Sequence, residues 1–169
     1  SSAASDVYKR QASHLAEELL ARDNRVVGVD NLSAGKREFM SAMLDNDCFE
    51  FIEGDLLTMD LVPALKDVEV VCHLAANPDV RLGAKNTAIH FEQNIEVTYR
   101  LLEASKDHGI KDILFPSTST VYGETDVIPT PENYGPLVPI SVYGASKLAC
   151  EALIASYCHT FDQLSLIHI

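Results

Sequence analysis

The chain has 169 residues, room for one core-bearing domain on the usual scale of roughly 100 to 200 residues and too few for a complete two-domain enzyme. With 47% apolar and 22% charged residues the composition is that of an ordinary globular protein, and no run reaches the ~20 apolar residues that a membrane span needs. The 13 Lys and Arg against 25 Asp and Glu leave a net charge of −12, which repels a phosphate backbone, and no basic stripe with interleaved aromatics offsets it, so nucleic acid is not expected as a partner.

In chain order, residues 1–11 are expected to be foreign to the domain. Asp6-Val7-Tyr8-Lys9-Arg10-Gln11 can be encoded by gat gtg tat aag aga cag, and the reverse complement of that string translates as Leu164-Ser165-Leu166-Ile167-His168-Ile169. One DNA element read in both directions, similar to the transposon end used as an adaptor in sequencing libraries, accounts for both hexapeptides. Residues 1–11 and 164–169 are therefore set outside the fold, and 12–163 are taken as a partial domain.

Within it, His14 to Arg22 has apolar residues at helical spacing, and Arg25 to Asp30 is a β-branched run ending in an acid: a helix feeding a buried strand. Lys36 to Leu44 reads as a helix, Cys48 to Glu53 as a strand, Leu61 to Lys66 as a short helical turn and Glu69 to Leu74 as a third strand. Asn86 to His108 reads as one long helix closed by Gly109, followed by a strand at Asp112 to Phe115. Prolines 129, 131, 136 and 139 make residues 123–141 a loop, after which Ser141 suits an N-cap for a helix from Val142 to Thr160. Alternating helices and near-continuous apolar strands predict an α/β domain with a parallel sheet covered on both faces. Cys48, Cys72, Cys150 and Cys158 form no C-x-x-C pair and read as reduced thiols of a cytoplasmic protein. His73 and Cys72 read as core, and His90, His108 and His159 lack metal-ligand spacing, so no metal is implied.

Asp30, at a strand end, is placed where a doubly wound dinucleotide fold needs a carboxylate for both ribose hydroxyls, which favours NAD over NADP; Lys36 and Arg37 nearby pull the other way. Asp55-Leu56 and Ala75-Ala76-Asn77 follow the next two strands, and ligands of such sheets bind outside the carboxyl ends of strands. Singly, each is equally a turn former or a packing residue. Tyr143-Gly144-Ala145-Ser146-Lys147 comes after the hydroxyl run Ser117-Thr118-Ser119-Thr120. On a helix Tyr143 and Lys147 share a face, so an ammonium can approach both phenol and cofactor ribose and lower the phenol from its ordinary pKa near ~10, making Tyr143 a usable general base. Thr118 can hold or relay the proton of a sugar hydroxyl. Alone, Tyr-x-x-x-Lys occurs by chance on exposed helices; the combination is what gives it weight.

Together, Val29-Asp30-Asn31-Leu32-Ser33-Ala34-Gly35-Lys36, His73-Leu74-Ala75-Ala76, Ser117 to Glu124 and Tyr143 to Lys147 resemble, in order and spacing, the motifs of the extended short-chain dehydrogenases/reductases, specifically the NAD-dependent epimerase/dehydratase family. The resemblance implies a Rossmann-like doubly wound sheet, lacking here the first strand with its G-x-x-G-x-x-G loop, the centre of a 3-2-1-4-5 order, and lacking the C-terminal substrate domain. It implies catalytic roles for Thr118, Tyr143 and Lys147, and NAD-binding roles for Asp30, Asn31, Ser33, Asp55, Leu56, Leu74, Ala75, Asn94 and Ser117 as well as Tyr143 and Lys147. Ser119-Thr120 stand where the family's dehydratases carry an Asp-Glu pair or a Glu, so the chain is similar to the branch acting on UDP-glucose: Tyr takes the 4-hydroxyl proton, hydride passes to NAD, the keto sugar turns, and hydride returns to its other face. Dehydratase, decarboxylase or reductase chemistry of the same family, or a non-catalytic NAD-binding domain, are the alternatives. A nucleotide sugar is the implied substrate and a cytoplasmic homodimer the implied parent. Without the glycine loop, these 169 residues themselves are expected to bind NAD poorly and not to turn over.

Overall fold

A computed structural model describes residues 11–161 and the backbone of 164–168; the remaining residues expected to be foreign, 1–10 and Ile169, lie outside the described residues. The chain divides into two compact units, one ending at Ala64 and one starting at Leu65.

In the first unit, helix α1 (Gln11–Ala21) presents Leu15, Ala16, Leu19 and Leu20 on its half-buried side. It stops where Asn24 Nδ2 donates to the Leu19 carbonyl and Asp23 takes a left-handed φ of 60°. Strand β1 (Val26–Asp30) then pairs in parallel with β2 (Phe49–Glu53), from Val26 opposite Phe49 to Asp30 opposite Glu53. A parallel pair needs a long crossover, and the sequence predicts a helix over 36–44 within it. The structure has instead a 3-10 turn at Arg37–Met40 followed by further turns. The reason is packing: Met43 alone of that stretch is buried, and the Ser41 hydroxyl donates back to the Glu38 carbonyl, so little stabilises a regular helix there.

A short helix, α2 (Val62–Leu65), leads into the second unit. There β3 (Val70–Cys72), β4 (Asp112–Pro116) and β5 (Leu164–His168) form a parallel sheet in that order. The pairing of β5 with β4 brings residues 164–168, expected outside the fold, into the sheet. The long helix predicted over 86–108 is three pieces: α3 (Ala88–His90), a π-helical turn Phe91–Glu96, and α4 (Val97–Asp107). Gly109, at φ 70°, closes α4 as expected, with Gly109 N–H on the Lys106 carbonyl and Ile110 N–H on that of Ser105. Helix α5 (Val142–Phe161) begins at Ser141, whose Oγ accepts the Gly144 N–H at 3.0 Å. Ile113 and Phe115 of β4, Leu101 and Leu102 of α4, and Cys150 and Ile154 of α5 are buried together with Leu65, Val71, Val97, Ile110, Val121 and Tyr122 in the core of this unit. All four cysteines are free thiols, and no described helix is long and apolar enough to cross a membrane.

Candidate active site

The hydroxyl run leaves the carboxyl end of β4 and turns at once. Thr118 Oγ1 accepts the Thr120 N–H at 3.3 Å and so caps a 3-10 turn, Ser119–Tyr122, which Val121 and Tyr122 pin by burial. Gly123 ends the turn at φ 70°, where a Cβ would meet the Val138 carbonyl oxygen at 2.0 Å, so only glycine lets the following loop fold back. The first turn of α5 also comes in close: a Cβ on Gly144 would lie 2.7 Å from the Thr120 carbonyl oxygen. Two glycines thus bring the Ser117–Thr120 run and the Tyr143–Lys147 turn together. Beside the run, a polar-lined cavity of about 410 Å³ is bordered by Ser119, Tyr122, Gly123, Thr125, Thr130 and Glu132.

Lys147 is only 4% exposed. Its Nζ donates to the Pro116 carbonyl at 2.6 Å and stands 3.8 Å above the centre of the Phe115 ring, so the ammonium lies at the very end of β4. Burial lowers its pKa to about 8, against the opposing pull of Cys150 and Glu151. Glu151, one turn further along α5, accepts the hydroxyl of Ser117, a contact the sequence does not announce because 34 residues separate the partners. Tyr143, half-buried one turn before Lys147, sets its ring in a T-shaped contact with that of His90, 5.6 Å between centroids at 61°.

The π-helical turn carries Asn94 into the interior, where it joins three segments. Its Oδ1 accepts the Asn77 N–H at 2.7 Å, and its Nδ2 donates to Ser146 Oγ at 2.9 Å. Ser146 in turn donates to the Tyr143 carbonyl at 2.7 Å. Thr98, one turn beyond Asn94, donates to the Asn94 carbonyl and accepts from His73 Nε2 at 2.9 Å. That arrangement keeps His73 neutral: burial first, and the Lys147 charge second, lower its pKa to about 3. His73 is core, as its sequence context predicts, and Cys72 is half-buried at the end of β3.

The remaining cofactor candidates divide between the two units. In the first, Asp30 is exposed at the end of β1, its Oδ1 accepting the Leu32 N–H at 2.6 Å. A Cβ on Gly35 would lie 3.0 Å from Asp30 Oδ2, so the chain folds closely over the carboxylate. Asn31 accepts from both Ser33 N–H (3.0 Å) and Ser33 Oγ (2.7 Å) and donates to Asp55 Oδ2 at 3.3 Å, while Asp55 Oδ1 takes the Leu57 N–H. Leu56 is half-buried beside Asp55. This cluster fits a ribose: the carboxylate is fixed in direction and reachable from solvent. The cations that could favour a 2′-phosphate are engaged, Lys36 with Glu38 at 3.3 Å and Arg37 with Glu53 at 2.7 Å. In the second unit, Leu74 is half-buried and Ala75 exposed just past β3.

Residues 12–168 match the model of the NAD dependent epimerase/dehydratase family. An uncharacterised UDP-glucose epimerase of Bacillus subtilis (strain 168) is 40% identical over 161 residues, 89% of this chain and 48% of that protein. A crystal structure of a UDP-galactose 4-epimerase is 42% identical, with a TM-score of 0.79 over 92% of this chain and 50% of the other. The UDP-glucuronic acid 4-epimerase from Bacillus cereus, solved with UDP-glucuronic acid and NAD, is 36% identical, with a TM-score of 0.84 over 92% and 51% of the two chains. This chain spans about half the length of these relatives, and its fold is of their Rossmann-like kind. By motif, by fold and by sequence, the chain belongs to the NAD-dependent epimerase/dehydratase family.

Proposed function

We propose that these residues are the coenzyme-binding and proton-transferring half of a nucleotide-sugar 4-epimerase, of the kind that acts on UDP-glucose. The observation that carries this reading is the buried Lys147 ammonium bonded at the carboxyl end of β4, where the Ser117–Thr120 run begins, and one helical turn from Tyr143. NAD, when bound, supplies a reversible hydride acceptor for the carbon that bears the reacting hydroxyl. Asp30 would take the adenosine ribose, with Asn31, Ser33, Asp55 and Leu56 about the adenine side. Leu74, Ala75, Asn94, Ser117, Tyr143 and Lys147 would border the rest.

The chemistry of this chain's own residues is proton transfer. Lys147, still a cation at neutral pH because its depressed pKa is about 8, favours the phenolate of Tyr143. Tyr143 then accepts the proton of the sugar 4-hydroxyl, which Thr118 Oγ1 holds or relays, and returns it after the sugar has presented its other face. Ser119 and Thr120 follow Thr118 where elimination of water would need an acid, which favours epimerisation over dehydration. The parent is read as a cytoplasmic homodimer.

In the full-length protein, Tyr143→Phe is expected to lower kcat by roughly 10²- to 10⁴-fold while NAD stays bound, and product analysis to show inversion at C4. Unchanged turnover, or loss of water or carbon dioxide from the sugar, would overturn the reading. The 169 residues alone contain no G-x-x-G-x-x-G loop, and isothermal titration on them is expected to show no micromolar NAD binding.

A further inference from the structure

Buried polar atoms in folded proteins nearly always find a partner, and the imidazole of His90 breaks that pattern. It is 0% exposed, and its Nε2 has no hydrogen-bond partner among the described residues. Its Nδ1 lies 3.4 Å from Asn94 Nδ2. Asn94 is oriented without ambiguity, because Oδ1 accepts from the Asn77 backbone and Nδ2 donates to a Ser146 hydroxyl that is itself spent on the Tyr143 carbonyl. Nδ1 therefore faces an N–H donor, Asn94 Nδ2, which also turns toward the Asn77 carbonyl at 3.5 Å.

The space around that ring is made for it. On one side a Cβ at residue 83 would come 2.9 Å from His90 Cδ2 and 3.2 Å from Nε2, so glycine there leaves the imidazole its place. On another side stands the Tyr143 ring. Helix α3, which carries His90, runs straight into the π-helical turn that carries Asn94, so the element that grips the Tyr143 backbone through Ser146 also presses on its ring.

We propose that His90 is a positioning residue for Tyr143: a wedge, locked between Gly83 and Asn94, whose edge contact fixes the direction of the phenol. The proposal rests on the reading of Tyr143 as the proton-transferring group. A wedge acts by shape, so its ring matters and its nitrogens do not.

The test uses the full-length protein with NAD bound. His90→Ala is expected to lower kcat by about 10- to 100-fold, the scale on which small misplacements of a reacting group act, with KM changed less than about 3-fold. It is also expected to displace the Tyr143 ring signals in a spectrum of ring-labelled tyrosine, assigned by their loss in Tyr143→Phe. His90→Phe, which keeps a ring of similar width, should recover most of the lost kcat. Gly83→Ala, whose methyl would press on the imidazole and also on Val142 Cβ at 3.1 Å, should lower kcat in the same direction and, read by displacement of the Tyr143 ring signals, carries the test if His90→Ala fails to fold. Unaltered Tyr143 ring signals in His90→Ala, or a His90→Phe enzyme as slow as His90→Ala, would overturn the wedge. Should Tyr143→Phe keep full turnover, the base assignment falls, while the ring signals still decide whether His90 positions that side chain.

Discussion

The unit ending at Ala64 and the unit beginning at Leu65 use the same ingredients, parallel strands flanked by helices, yet they bury very different amounts of apolar surface. In the first, α1 has no buried residue, and among the described residues the buried apolar side chains are Met43, Leu61 and Ala64. Its long side chains meet in exposed ion pairs, Arg22 with Glu18, Arg25 with Glu50 and Arg37 with Glu53, each worth ~0–1 kcal/mol. In the second, Leu102, Ile113, Phe115, Val121, Cys150 and Ile154 are all 2% exposed or less. The half proposed to hold adenosine is held by its ladder and its surface, and the half proposed to move protons by a core. Precise proton transfer demands fixed distances, which packing supplies, whereas a ribose needs a directed carboxylate that one backbone N–H can aim.

The sharpest way to break this contrast is a matched pair of truncations read by urea denaturation. Phe115→Ala, 2% exposed on β4, is expected to cost about 3–5 kcal/mol, and Val27→Ala on half-buried β1 about 1 kcal/mol or less. Equal costs would remove the distinction. Acid titration probes the core from another direction. His73 keeps its pKa near 3 when folded against 6.5 when unfolded, so between those values the unfolded chain binds a proton that the native one refuses. The contribution of His73 to stability therefore falls as pH drops from 6.5 toward 3, by about 3–5 kcal/mol, and His73→Asn should remove that part of the slope. Two glycines then separate backbone strain from steric strain. Both sit at φ 70°, but Gly109 has open space around a Cβ and Gly123 faces the Val138 carbonyl at 2.0 Å. Gly109→Ala is expected to cost about 1 kcal/mol and Gly123→Ala about 2 kcal/mol or more, read as shifts in melting temperature. At the small end, Glu18→Gln on α1 should change stability by no more than about 0.5 kcal/mol, because Arg22 and Glu18 are both mostly exposed.

The order of elements is legible in the sequence where local signals agree with packing: the apolar runs of β1 to β4, Gly109 after α4, and Ser141 before α5. It fails where packing overrides periodicity. Lys36 to Leu44 has a helical pattern but only Met43 to bury, and Asn86 to His108 has an even pattern interrupted by the π-helical turn that delivers Asn94 inward. Residues 164–168, expected from the sequence to lie outside the fold, pair with β4 as β5. In the candidate site, the shared face of Tyr143 and Lys147 follows from their spacing alone. That Lys147 bonds the Pro116 carbonyl, that Glu151 reaches Ser117 and that Ser146 meets Asn94 does not, since these partners lie 31, 34 and 52 residues apart.

The π-helical turn at Phe91–Glu96 has a consequence for how the chain can change in length. Such a turn holds one residue more than an α-helix needs, so deleting Phe91, Glu92 or Gln93 would heal the helix into a regular rod. Each residue rotates the helix by about 100°, and that repair would swing either His90 or Asn94 out of alignment with the other. A tidier, locally more regular helix would thus be the less competent one, and such single-residue deletions should be tolerated by folding while impairing the proposed proton transfer.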